Sequence, residues 1–252
     1  MNPLSADHTN SAAIVSARGL RRDFGEGEAA VRALDDVSVD LPKGRFTAIM
    51  GPSGSGKSTL MHVLAGLDRP TAGTITIDGT ELGPLNDAEL TRLRRDKLGF
   101  VFQFFNLLPV LTAEENILLP LKLAGREADQ ERKSTLIDAV GLGDRLSHRP
   151  AELSGGQQQR VAIARALLSE PAVVFADEPT GNLDTTSSGE VLALLRRAVD
   201  EFGQTVAMVT HDPQAAASAD RVLVLVDGRI VSDEPARDAD QVQSLMRPSA
   251  IS

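Results

Sequence analysis

Residues 46–59 read FTAIMGPSGSGKST, an apolar run that leads into a Gly-rich loop and ends in Lys57, Ser58 and Thr59. The loop fits the pattern GxxxxGK[ST], and the helix-forming run 57–65 follows it directly. A strand, a glycine-rich loop and a helix in this order let backbone N–H groups and a helix N-terminus converge on phosphate oxygens. This stretch predicts a nucleotide-binding α/β fold.

Two side chains of this loop have predicted roles in binding and in catalysis. Lys57 would reach the β- and γ-phosphates, and Ser58 would ligate Mg²⁺. ATP and Mg²⁺ are therefore the predicted cofactors. The residues predicted to contact the nucleotide here are Gly51, Pro52, Ser53, Gly54, Ser55, Gly56, Lys57, Ser58 and Thr59.

A second apolar run, VVFADE at residues 173–178, ends in two acids. Active-site groups of open α/β sheets lie at the carboxyl ends of the strands. Asp177 would hold Mg²⁺, directly or through water, and Glu178 would orient or deprotonate the attacking water. The alternative is a pair of solvated acids at a strand end.

Strand-like and helix-like segments alternate along the rest of the chain. Short β-branched or apolar runs at 172–176, 205–209 and 221–226 predict buried parallel strands, whereas residues 74–77 before Asp78-Gly79 predict an antiparallel one. Asn86 and Thr112 are each followed three positions later by a glutamate, which marks helix starts. A mostly parallel sheet covered by helices is the predicted architecture.

Composition limits the classes of function. The chain of 252 residues has no cysteine, which excludes disulfides, and its net charge of −9 disfavours nucleic acid as the main partner. No apolar run approaches the ~18 residues that span a bilayer, so we expect the chain not to cross a membrane. The first residues, 1–12, have the composition of a disordered lead-in and lack the features of a secretory signal.

The sequence LSGGQ at residues 153–157, followed by Gln158-Gln159-Arg160, resembles the signature motif of the ABC (ATP-binding cassette) ATPase family. In physical terms, Ser154 caps a helix and two glycines leave its first N–H groups open to an anion. The other motifs of that family occur in the expected order along the chain, at Gln103, Asp184 and His211.

The resemblance implies roles for these residues. In this family Ser154, Gly155, Gly156 and Gln157 complete the nucleotide site of a partner subunit, which implies a head-to-tail dimer with a second copy or a homologue around two ATP molecules. Gln103 would contact Mg²⁺ or the attacking water, and His211 would stabilise charge on the γ-phosphate. Asp184 would shape the dimer interface.

Phe24 stands where the family usually has an aromatic residue that stacks on adenine. A phenylalanine can provide that stacking without a hydroxyl group. The alternative is a core phenylalanine at the end of a strand. A second open question concerns the apolar run FFNLLP at residues 104–109, which either packs inside the helical lobe or lines a groove for a membrane partner.

The resemblance, over about residues 14–233, implies an α/β P-loop NTPase cassette with a mostly parallel core sheet, an antiparallel β subdomain and a helical subdomain. The predicted division is a lead-in at 1–12, the ATPase domain at 13–233 with its helical subdomain at about 104–152, and a C-terminal tail at 234–252. The runs IMGPSGSGKSTLMHVLAGLD and TAEENILLPLKLAG look most like the lipoprotein-release and macrolide-export ATPases.

The predicted function is hydrolysis of ATP to drive an integral membrane permease on a separate polypeptide, at the cytoplasmic face of the membrane. One alternative is an ATP-driven regulator of a membrane partner without transport. Another is a DNA-repair ABC ATPase, which the acidic charge and the absence of a coiled-coil insertion disfavour.

Overall fold

The computed structural model of the protein describes residues 13–25 and 31–246. The strands in this part of the chain are β1 (Ala13–Phe24), β2 (Val31–Pro42), β3 (Phe46–Met50), β4 (Ala72–Ile77), β5 (Thr80–Glu81), β6 (Leu98–Phe102), β7 (Val173–Asp177), β8 (Val206–Val209), β9 (Arg221–Val226) and β10 (Arg229–Pro235). The helices are α1 (Lys57–Leu64), α2 (Asp87–Lys97), α3 (Ala113–Leu123), α4 (Gln130–Val140), α5 (Gly155–Leu168), α6 (Thr185–Asp200), α7 (Pro213–Ala216) and α8 (Ala239–Leu245). The predicted lead-in, 1–12, lies outside the described residues, as does the end of the tail, 247–252.

The core is a sheet with the strand order β10-β9-β3-β8-β7-β6. Neighbouring strands from β9 to β6 run parallel, and β10 pairs antiparallel with β9 at one edge. The register places Phe102 beside Asp177 and Asp177 beside Val209, so β6, β7 and β8 end at one level. Three segments that carry candidate site residues therefore leave the sheet along the same edge.

A second, antiparallel sheet has the order β2-β1-β4-β5. Alternate residues of β2, among them Val37, Val39 and Leu41, are buried, as the two-residue period of a half-buried strand requires. The buried face of this sheet forms one hydrophobic core with α1 and one side of the parallel sheet. The mostly parallel sheet, the antiparallel sheet and the helices confirm the predicted fold class.

The helical part contains α3, α4 and the start of α5. Thr112 and Glu115 form a reciprocal capping box at α3, as Asn86 and Glu89 do at α2, so both predicted helix starts are confirmed. The sequence predicted largely helical residues from about 104, but the first helix of this region begins at Ala113. Phe105 and Asn106 have φ values of 61° and 48°, which interrupt a right-handed helix.

No helix in the described part of the chain combines the length and the apolar composition that a bilayer-spanning segment requires.

Candidate nucleotide site

The phosphate loop, residues 51–58, connects β3 to α1 and packs closely against two neighbouring strands. A Cβ atom at Gly51 would lie 2.0 Å from the carbonyl oxygen of Leu225, and one at Gly56 would lie 2.3 Å from that of Ala33. Gly56 also has a φ of 100°, which favours glycine. The sequence therefore needs glycine at both positions, and the backbone of the loop is fixed by its surroundings.

Lys57 begins α1 and folds back into this loop. Its Nζ donates hydrogen bonds to the carbonyl oxygens of Gly51 and Pro52, each at 2.9 Å. Burial lowers the pKa of Lys57, while the negative charges of Glu178 and Asp177 oppose that shift. The loop thus holds a largely desolvated cation whose charge is only partly balanced by the two acids.

Ser58 and Asp177 form the point where the phosphate loop meets the end of β7. Ser58 Oγ donates to Asp177 Oδ1 at 3.4 Å, and His62 Nε2 lies 4.0 Å from Asp177 Oδ2. Burial raises the pKa of Asp177, and His62 acts in the opposite direction. Two oxygen donors from different elements are thereby placed side by side, which suits a hard cation such as Mg²⁺.

Glu178 and His211 come together across the ends of β7 and β8. His211 Nδ1 lies 2.9 Å from Glu178 Oε1, and the Glu178 N–H donates to the carbonyl oxygen of Val209 at 2.9 Å. Glu178 has a φ of 46°, an uncommon conformation for a residue with a side chain, and one that the surrounding contacts must hold. The arrangement offers a carboxylate whose orientation is set by a neighbouring imidazole.

Gln103, which follows β6, pairs with a loop that the sequence did not link to it. Its Nε2 donates to Asn182 Oδ1 at 3.1 Å, and Asn182 Nδ2 returns a hydrogen bond to the Gln103 carbonyl at 3.0 Å. Gly181 packs on the same side chain, because a Cβ there would lie 2.9 Å from Gln103 Nε2. The structure thus ties Gln103 to the segment that leads to Asp184.

The signature motif, residues 153–157, contains the start of α5, and the exposed Ser154 is the N-cap of that helix. Ser154 Oγ accepts from the Gln157 N–H at 3.2 Å, and Gln157 Oε1 accepts from the Ser154 N–H at 2.9 Å. Gly156 packs against Ser187, whose N–H and hydroxyl both bind the Asp184 carboxylate. Among the hydrogen bonds of the described residues, none joins this motif to the phosphate loop of the same chain.

Phe24 ends β1 beside Val31, the first residue of β2. Its side chain is 42% exposed, and the Arg22 guanidinium lies 4.4 Å from the ring centroid. Ala33, two residues beyond Val31, contacts the phosphate loop at Gly56. The ring is thus an exposed aromatic surface on the hairpin that packs against the loop, and the description as a core phenylalanine does not fit it.

Sequence reasoning missed several residues that shape this site, and Gln159 and Arg165 on α5 are the main ones. Gln159 is fully buried and donates to two backbone carbonyls, and Arg165 donates to the carbonyls of Phe105 and Asn106. A detectable signal existed for Gln159. It lies three positions after Gly156 and four before Ile163, on the buried face of the helix, where a polar residue needs a partner.

A glycine-fixed loop with a buried lysine, next to paired acids at a strand end, defines a phosphate-binding ATPase site of the P-loop class. The model of the ABC transporter family matches residues 34–181. The chain belongs to this family, as its motifs predicted, and is an ATP-hydrolysing cassette.

Several known proteins are similar to this chain. The macrolide export ATP-binding/permease protein MacB 1/2 of Paracoccus denitrificans is 50% identical over 224 residues, which cover 88% of this chain and 33% of that protein. The chain therefore spans about a third of the length of the curated relatives it matches. These relatives agree with the predicted macrolide-export subfamily.

Solved structures agree with the fold. The ATP-binding cassette MJ0796, in a dimeric post-hydrolysis state bound to ADP and Pi, has a TM-score of 0.80 and 42% identity, covering 88% of this chain and 99% of that one. CbiO1 of Clostridium perfringens, part of the ABC transporter complex CbiONQ, has a TM-score of 0.79 and 27% identity, covering 92% and 91%.

Proposed function

We propose that this chain is the ATP-hydrolysing subunit of a transporter, that it closes with a second cassette around two ATP molecules, and that it drives an integral membrane permease. The observation that supports this best is that the signature motif and the phosphate loop of one chain lie apart. The phosphate loop, Asp177, Glu178 and His211 converge at one edge of the sheet, while no hydrogen bond among the described residues joins the N-terminus of α5, capped by the exposed Ser154, to that loop. A cassette of this kind needs a second one to complete its nucleotide site.

In the proposed reaction, the backbone N–H groups of residues 51–59 and Lys57 hold the phosphates of ATP. Glu178 accepts the proton of the attacking water or orients it, and His211, fixed by its contact with Glu178 Oε1 at 2.9 Å, stabilises the charge that develops on the γ-phosphate. Gln103, held by Asn182, contacts the water or the metal at the mouth of the site.

Ser58 and Asp177 would hold Mg²⁺, with Gln103 as a further ligand. The described residues contain no group of three or more His, Cys, Asp or Glu side chains suited to a metal. Asp177 is the one carboxylate among Ser58, Asp177 and Gln103, and Mg²⁺ in nucleotide sites is commonly bound through one or two carboxylates together with phosphate oxygens. When bound, it would neutralise charge between the β- and γ-phosphates.

The signature motif, in which Ser154 is exposed, would meet the γ-phosphate held by the partner cassette. Gly155 and Gly156 are the first two residues of a 14-residue helix, and the N–H groups at such a helix start attract anions. Asp184 caps α6 through Ser187, and Gly156 packs on that same serine, so the two interface segments form one unit. The dimeric form of MJ0796 supports this arrangement.

Phe24 would stack on the adenine base. Replacing Phe24 by alanine is expected to raise the Kd for both ATP and ADP by about 5–150-fold, because base stacking on an aromatic ring contributes ~1–3 kcal/mol. Phe24→Tyr should retain affinity, and Phe202→Ala, which removes a similarly exposed ring elsewhere, should not change it. Titration with a fluorescent ATP analogue measures this. Unchanged affinity in Phe24→Ala would exclude stacking.

A groove of about 390 Å³ beside β6 is the surface we propose for the permease. Leu67, Phe100, Leu119 and Leu123 supply its apolar lining, and Arg94, Arg95 and Arg165 line it as well. Leu123 is 70% exposed. Phe104, which lies in sequence between the lining residues Phe102 and Asn106, is 73% exposed, and such exposure is unusual for side chains of this size. An amphipathic helix with acidic ends, presented by the permease at the cytoplasmic face of the membrane, matches this surface.

The test of the partner uses the catalytically blocked chain. We expect tagged Glu178→Gln chain, purified from its native cells with ATP present, to retain an integral membrane permease identified by mass spectrometry. Adding Leu123→Asp should release the permease, because a charge enters the groove. Val231→Asp, on exposed β10, is the matched control and should retain it. Recovery of DNA or of a soluble complex instead would reject the transporter assignment.

A further inference from the structure

One fully buried polar side chain of helix α5, that of Gln159, contacts the main chain of the nucleotide site. Gln159 is 0% exposed, and its Nε2 donates to the carbonyl oxygen of Pro179 at 2.6 Å and to that of Phe102 at 3.3 Å. Pro179 directly follows Glu178, and Phe102 directly precedes Gln103. One carboxamide thus binds the main chain next to both residues assigned to the attacking water.

We propose that Gln159 is a positioning residue for ATP hydrolysis. Its hydrogen bonds hold the main chain next to Glu178 and Gln103 in place, and its side chain does not contact the nucleotide. The inference rests on the proposed roles of Glu178 and Gln103.

The backbone conformation of Glu178 explains why these hydrogen bonds are needed. Glu178 has a φ of 46° and precedes a proline, a combination that an unsupported chain seldom adopts. Its own N–H binds Val209 on one side, and Gln159 binds the next carbonyl on the other. Loss of either hydrogen bond would let the Glu178 carboxylate move from its productive position. A displacement of about 1 Å can lower the rate 10²-fold.

The cost of Gln159 to stability also favours a functional role. Its Oε1 is buried and accepts no hydrogen bond from any of the described residues. A buried acceptor without a partner destabilises the folded state, so packing alone does not explain a glutamine at this position.

The test is the Gln159→Met substitution, which keeps the length and volume of the side chain but removes both hydrogen bonds. In steady-state ATPase assays of the full chain, we expect kcat to fall at least about tenfold, with the Kd for ATP changed by less than about threefold, since only the chemical step loses its geometry.

Gln204→Met is the matched control. Gln204 is likewise buried, and its Nε2 donates to two backbone carbonyls, those of Pro171 and Thr205, near the amino ends of β7 and β8. Both substitutions remove two hydrogen bonds to backbone carbonyls, but Gln204→Met should leave kcat unchanged. Equal kcat values in the two variants, or a loss confined to nucleotide binding, would overturn the proposal.

Two further variants separate the possible failures. If Gln159→Met does not fold, Gln159→Asn, which keeps the carboxamide but withdraws it by one methylene, should show the same loss of kcat, and normal turnover in it overturns the proposal. Glu178→Gln is assayed beside them. Wild-type turnover in Glu178→Gln rejects the proposed catalytic roles and this inference together, whereas a blocked Glu178→Gln with a normal Gln159→Met rejects this inference alone.

Discussion

Replacing Glu178 by glutamine is expected to lower kcat for ATP hydrolysis by roughly 10²–10⁴-fold, the usual contribution of a general base. Glutamine has the size of glutamate and can keep the contact that His211 Nδ1 makes at 2.9 Å, but it cannot accept a proton from water. The phosphate loop and Lys57 are untouched, so the Kd for ATP should stay within about threefold of the original value.

The blocked chain should also change its oligomeric state. ATP that is bound but not hydrolysed keeps the signature motif of one cassette on the phosphate of the other, so Glu178→Gln should elute as a dimer in ATP and as a monomer in ADP. Size-exclusion chromatography with light scattering distinguishes the two. Glu201→Gln removes an exposed carboxylate paired with Arg197 and serves as the control that leaves kcat and assembly unchanged.

Turnover of Glu178→Gln at the original rate would remove this carboxylate from the mechanism. The nearby Asp177 could not simply replace it, because its Oδ1 accepts from Ser58 and its Oδ2 faces His62. A dimer in both nucleotides would instead show that assembly does not depend on the γ-phosphate.

The contiguous parts of the site could be predicted from sequence. The phosphate loop follows an apolar run that the structure shows as β3, Phe46–Met50, with the predicted bounds, and Asp177 ends β7 as expected. These elements are local patterns, and the parallel order of the strands then brings their carboxyl ends to one edge. The helix N-caps at Asn86, Thr112 and Ser154 could also be predicted, since each capping interaction is formed within three residues.

The connections between those parts could not be predicted. Gln103 and Asn182 are 79 residues apart, and Gln159 lies 57 residues beyond Phe102. Neither pairing has a local pattern, because it depends on how α5 packs on β6 and on where the loop after β7 turns. The same reason applies to Phe105 and Asn106, whose carbonyl oxygens accept hydrogen bonds from the distant Arg165.

Replacing Lys57 by methionine is expected to raise the Kd for ATP at least about 100-fold, since each charge-assisted hydrogen bond contributes about 1.5–3 kcal/mol and Lys57 would make one to each of two phosphates. The Nζ of Lys57 lies inside the loop on the carbonyls of Gly51 and Pro52 and is poised to transfer to phosphate oxygens. Isothermal titration calorimetry with ATP in the presence of Mg²⁺ measures the change.

Stability separates a binding defect from an unfolded chain. Burial lowers the pKa of Lys57, so the protonated lysine is a cost to the folded state, and methionine removes that desolvation cost while keeping most of the packing. The Tm of Lys57→Met without nucleotide should therefore stay within a few degrees of the original, and added ATP should no longer raise it. Lys97→Met, which removes a surface ion pair to Asp78, should keep both the affinity and the ATP-induced rise in Tm. A Lys57→Met chain that binds ATP as tightly as the original would show that the backbone N–H groups of the loop suffice to hold the phosphates.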